Sequence, residues 1–178
     1  MPLNHRSIAA LARDPGRAAS LSVGEGAPLD EPLSRLTADP RVELIVITGE
    51  EPFADRHGVA EATRRLAEAG KRIAVETRGS WAAHARVPGW VHDVLVRCAC
   101  VVFHPPASAA DARELETRVR AAREVVAAEA WLIVEVDASP GASEGARERA
   151  AALLTEAFGG RWDHHAELVT EPAMGELG

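Results

Sequence analysis

Seven carboxylates recur at one kind of place in this chain. Glu50, Glu51, Glu76, Glu135, Asp137 and Glu171 each follow a short apolar run, and Glu25 sits inside the turn Gly24-Glu25-Gly26. If the runs are parallel strands, these oxygens gather on one rim. Hard oxygen ligands suit Mg²⁺ or Mn²⁺, and a carboxylate mouth also suits an amino group. The plainer reading is that most of them cap helices or pair with Arg56, Arg78 and Arg97. His104 closes another apolar run, as a base or simply as its polar end. Asp163-His164-His165 offers two imidazoles, but neighbours on a strand point to opposite faces, so a solvated loop explains them better. Cys98 and Cys100 are the only thiols. They read as small buried hydrophobes, on one strand face or at a helix-to-strand junction. The Gly-Glu-Gly turn alone is a weak phosphate-loop signal. No Walker loop, zinc spacing or Ser-His-Asp order is present.

The elements that must position these residues are clearest from Val42 to Ser80. Leu44-Ile45-Val46-Ile47 is β-branched and continuous, as in a strand buried on both faces. Thr48-Gly49-Glu50-Glu51-Pro52 breaks it. From His57 to Ala69, Val59, Ala62, Thr63 and Leu66 recur at helical spacing, Glu61 faces Arg65 one turn on, and Gly70 stands where a left-handed residue ends a helix. Ile73-Ala74-Val75 opens the next strand, which ends in Glu76-Thr77. Two strands joined by one helix form a right-handed parallel crossover, with both polar ends on the same rim.

ITGEEPF followed by VETRGS resembles the TGGEP and ETNGT segments of radical S-adenosylmethionine (radical SAM) enzymes, nearest to the 7-carboxy-7-deazaguanine synthases and glycyl-radical-enzyme activases. The likeness spans Val42–Ser80; beyond it only the order of elements agrees. In that family the Gly-Gly-Glu segment holds the amino group of S-adenosylmethionine. Carried across, Thr48, Gly49 and Glu51 match, while Glu50 replaces the second glycine. The resemblance implies a vestigial or adapted ligand site at Thr48, Gly49, Glu50, Glu51, Glu76 and Thr77. The family's Cys-x3-Cys-x2-Cys is missing: Gly16 to Leu36 holds no cysteine. Two thiols one residue apart, at Cys98 and Cys100, cannot ligate a [4Fe–4S] cluster. The expectation is a chain with no cofactor, no metal and no catalytic residue of that chemistry.

The remaining chain supplies further strand–helix units. Asn4 to Arg13 reads as a helix, Arg17 to Val23 as a first strand, and Asp30 as the cap of a short helix bearing Leu33 and Leu36. Pro88 starts a helix through Leu95 before a strand from Ala99 to Phe103, unless one long strand begins at Val94. A helix from Ala109 to Ala130 buries Leu115, Val119, Ala122 and Val126, with Glu114–Arg118 and Glu116–Arg120 pairs on its outer face. Trp131 to Val134 is the fifth strand. Ser143 caps a last helix burying Leu153, Leu154 and Phe158, and Glu167 to Thr170 is a sixth strand. Six units in roughly 160 residues are too few for a closed eight-fold barrel. The fold class is α/β, a partial (β/α)6 barrel of the radical SAM core type or, alternatively, an open doubly wound parallel sheet.

The 178 residues suit one domain, and the resemblance implies that residues 1–178 form a single radical SAM-like domain; 47% apolar and 26% charged residues mark a globular chain. A net charge of −7 without a basic block argues against nucleic acid, and no apolar run approaches the ~20 residues that cross a membrane. A reducing cytoplasm is the expected compartment. Abundant alanine and arginine suit a high-GC bacterial genome. Trp81 and Trp90 flank the least regular segment, and the choice there is between core anchors and an interface. These readings lead to a non-catalytic radical SAM-like protein. It would be the heterodimeric partner or accessory subunit of a true radical SAM enzyme in a bacterial biosynthetic pathway. The alternatives are a cluster-free enzyme with a divalent metal at the acidic strand ends, or a small-molecule binding protein.

Overall fold

The computed structural model describes residues 14, 16–83, 86–104, 112–135, 143–159 and 166–169. The elements alternate: β1 (Ala18–Ser22), α1 (Asp30–Ala38), β2 (Leu44–Thr48), α2 (Arg56–Glu68), β3 (Arg72–Thr77), α3 (Gly89–Leu95), β4 (Cys100–Phe103), α4 (Ala112–Ala127), β5 (Trp131–Glu135), α5 (Ser143–Phe158) and β6 (Ala166–Val169). Single turns of helix at Pro52–Ala54 and Ser80–Ala82 come after β2 and β3. All neighbouring strands pair in parallel, in the order β1-β2-β3-β4-β5-β6.

Strand order therefore tracks chain order without a reversal. The helices do the same, each packing on the next from α1 to α5. Alternation along the strands divides the core. Ile45, Ile47, Ile73, Val75, Val101, Phe103, Leu132 and Val134 share one cluster with the helix residues Leu33, Val59, Leu66, Val94, Leu95, Val125 and Leu154. Leu44, Val46, Ala74, Cys100, Val102 and Ile133 form a second cluster from the opposite face, and among the described residues it holds no helix residue. At roughly 25 cal/mol per Å² of apolar surface, the fully buried Leu, Ile, Val and Phe side chains of the first cluster are its main stabilising content.

Several local expectations are corrected. Asp30 does not cap α1: the cap position is Leu29, without a side-chain bond, and Asp30 is the first helical residue. Arg65 does not pair with Glu61. Arg64 bridges Glu61 at 2.7 Å and Glu68 at 2.8 Å, while Arg65 reaches Asp30 at 2.9 Å and so ties α2 to α1. A residue three positions on can share a helix face as well as one four on, and Arg65 finds a tertiary partner instead. The segment before β4 is a helix and a turn, so the long strand from Val94 is not formed. Arg118 keeps its pair with Glu114, at 2.5 Å, yet it is 8% exposed rather than on an outer face. The first helix expected at Asn4–Arg13 lies outside the described residues.

Candidate functional site at the strand ends

β2 and β3 end in register, and a glycine fixes the turn after each. Gly49 has φ +149°, and a Cβ there would collide with the carbonyl oxygen of Val23 at the end of β1. Gly79 has φ +74°, and a Cβ would strike the Phe103 ring. Both positions demand glycine for space as well as for backbone angle.

Glu51 crosses the gap between the two strand ends. Its carboxylate accepts from Thr77 Oγ1 at 2.8 and 3.0 Å, from the backbone N–H of Arg78 at 3.0 Å, from Ser80 Oγ at 3.3 Å and from the N–H of Phe53 at 3.3 Å. Four donors on one carboxylate fill its acceptor capacity. The Thr77 hydroxyl in turn accepts from the N–H of Gly79 at 3.0 Å and from Trp81 Nε1 at 3.2 Å. Trp81, 7% exposed, packs on Phe53 with ring centroids 5.4 Å apart, and Phe53 meets Trp90 at 6.2 Å. The Arg56 guanidinium lies 5.6 Å from the Trp90 ring centroid, in cation–π range. Glu51, Thr77 and Trp81 thus form a clasp on the helix side of the rim. Trp81 belongs to the core, and half-buried Trp90 is the one of the pair with surface to offer.

Glu76 precedes Thr77 and turns to the other face. It lines a cleft of about 110 Å³ with Gly49, Glu50, Thr77, Arg78 and His104. His104 is placed there by the backbone: its N–H donates to the Thr77 carbonyl at 3.1 Å. His104 Nε2 stands 3.7 Å from Glu76 Oε2, an ion-pair separation rather than a direct hydrogen bond. The Glu76 carboxylate raises the His104 pKa above its ordinary 6.5, and Glu135 from β5 adds a smaller push. Partial burial and the charge of Arg78 oppose them. Two adjacent strands therefore bring Glu76 and His104 together in the cleft, and the carboxylate favours the charged form of the imidazole relative to its ordinary balance.

The expected site residues divide between these two faces. Thr48, Gly49, Glu50, Glu51, Glu76 and Thr77 all sit at one end of the sheet, but Glu51 is spent inside the protein while Glu76 faces the cleft. Glu25 is exposed in its turn, and Asp137, Glu171 and Asp163–His165 lie outside the described residues. No group of three His, Cys, Asp or Glu side chains is placed to hold a metal ion among the described residues. The [4Fe–4S] cluster of the family resemblance does not fit this chain. The loop after β1 has no thiol, Cys98 packs with the helix-side cluster and Cys100 with the opposite one. Burial pushes the Cys98 thiol up to about 12 and the Cys100 thiol up as well, so neither is the thiolate that ligates iron. His104 carries more of the site than its isolated position at a strand end suggested. Its signal, a polar residue closing a strand beside one that ends in glutamate, was in the sequence.

No protein-family model matches the chain, and no curated protein matches it. No helix among the described residues is long and apolar enough to cross a membrane.

Proposed function

We propose that this chain is a non-catalytic, cluster-free radical SAM-like protein that serves as accessory subunit to a true radical SAM enzyme. Its architecture is a partial (β/α)6 barrel rather than a doubly wound sheet. One-way strand order and a single succession of helices support the barrel, because doubly wound sheets reverse order and cover both faces with helices. The observation that carries the functional reading is the Glu51 clasp. The carboxylate that would receive the amino group of S-adenosylmethionine is satisfied by four donors of its own chain. A motif kept for scaffold and freed from ligand duty is what a pseudoenzyme retains. Trp90, half-buried beside Arg56, is the anchor such a subunit would present.

Co-expression with a radical SAM enzyme encoded beside it, followed by size-exclusion chromatography, tests the reading. A co-eluting complex, weakened by Trp90→Ala, is expected. Separate elution of every such pair sinks the accessory role.

A second reading rests on a different observation. The Glu76–His104 pair faces an open cleft with Glu50 and Arg78, and such mixed charge suits a small polar molecule with an amine. The divalent-metal enzyme draws no comparable support from the described residues.

A further inference from the structure

A second cavity, of about 490 Å³, lies between the exit of β3 and the start of α4, and its charge is opposite to that of the acidic strand ends. Arg78, Ser80 and Ala83 form one wall; Arg113, Glu114, Thr117 and Arg118 form the other. Three guanidiniums stand against one carboxylate, which leaves an excess of two positive charges.

The four charged groups are not equivalent. Arg118 is 8% exposed and its one ion pair among the described residues, with Glu114, is made along the helix at 2.5 Å. Burial disfavours its charged form; the Glu114 carboxylate offsets part of this and the nearby charge of Arg78 adds to it, with the net shift downward. Arg78 and Arg113 are exposed and make no side-chain ion pair among the described residues. The hydroxyls are already committed, Thr117 to the Arg113 carbonyl at 3.0 Å and Ser80 to Glu51 at 3.3 Å. They hold the walls, so the recognition chemistry is left to the arginines. Concentrating like charges around a desolvated guanidinium costs stability unless something negative enters.

We infer that this cavity binds the phosphate group of a small phosphorylated ligand. A dianion matches the two excess charges, and guanidinium forks match phosphate oxygens in bidentate geometry. The volume exceeds what a bare phosphate fills, leaving room for the group that carries it. Arg78 and Ser80 also donate to the clasp, but Arg113, Arg118 and the Arg78 guanidinium belong neither to it nor to the Trp90 surface, so this inference does not depend on the accessory-subunit role.

Isothermal titration calorimetry of the full chain with inorganic phosphate, at constant ionic strength and with acetate as control, tests it. Saturable binding of phosphate but not acetate is expected, and Arg113→Gln and Arg78→Gln should each weaken it about tenfold. Both arginines are exposed, so circular dichroism should show the variants folded. In a parallel thermal melt, phosphate should raise the wild-type midpoint and leave the Arg113→Gln midpoint unmoved. Heats no different from added chloride, equal binding of acetate, or phosphate binding that survives both substitutions would overturn the assignment.

Discussion

Glu51 and Glu76 end consecutive strands of one crossover unit, yet they differ in what satisfies them. Glu51 is held by backbone and side-chain donors from β3 and the turn beyond it, and one of those donors relays to the Trp81 indole. Glu76 makes one ion pair among the described residues, with His104 at 3.7 Å, and opens on a cleft. The first arrangement ties secondary elements together, and the second leaves capacity for a partner from outside. Charge at a strand end is thus no measure of availability; the count of donors already on the carboxylate is.

The helix-side clasp should be far more sensitive to substitution than the cleft. Trp81→Ala removes a buried ring that packs on Phe53 and should destabilise the fold by about 3–5 kcal/mol, while half-buried Trp90→Ala should cost clearly less. Chemical denaturation of the two variants measures the gap, and equal losses would erase the distinction between anchor and surface.

Glu51→Ala strips the acceptor from four donors and should cost about 2–3 kcal/mol. Thr77→Val, which removes the relay but leaves the carboxylate its backbone donors, should cost about 1–2 kcal/mol. A Glu51→Ala protein as stable as wild type would mean that the clasp holds nothing together.

The smallest effect belongs to the cleft, and it depends on pH. Because the folded pKa of His104 is raised, its contribution is fully present below the unfolded value of 6.5 and fades as pH rises through the folded value. The pair is partly exposed and screened, so the contribution stays under about 1 kcal/mol. Glu76→Gln should lower the His104 pKa, read by NMR titration, and narrow the stability difference between acid and neutral pH. An unmoved titration would place the source of the shift elsewhere.

Much of this was legible from residue types. The run Leu44–Ile47, the helical spacing through Leu66 and the stop at Gly70 fix the crossover to within a residue or two, because local periodicity and burial agree there. Pro88 similarly marks the start of α3. The Glu51 clasp was hidden, because it depends on where the turn after β3 comes to rest against β2, and no periodicity records a tertiary approach. The choice for Trp81 between core and interface stayed open for the same reason: its burial comes from packing on Phe53 and from the indole reaching Thr77, both tertiary approaches. Arg118 defied its type, since an arginine on a patterned helix reads as solvated until the packed walls around it are known.

The central claim, a radical SAM-like scaffold without radical chemistry, is met most directly by anaerobic reconstitution with iron and sulfide and quantification of the iron that stays bound. The account predicts no iron above the blank, because the loop after β1 carries no thiol and both cysteines are buried and protonated. Stoichiometric iron, lost when Cys98 and Cys100 are replaced by serine, would contradict it.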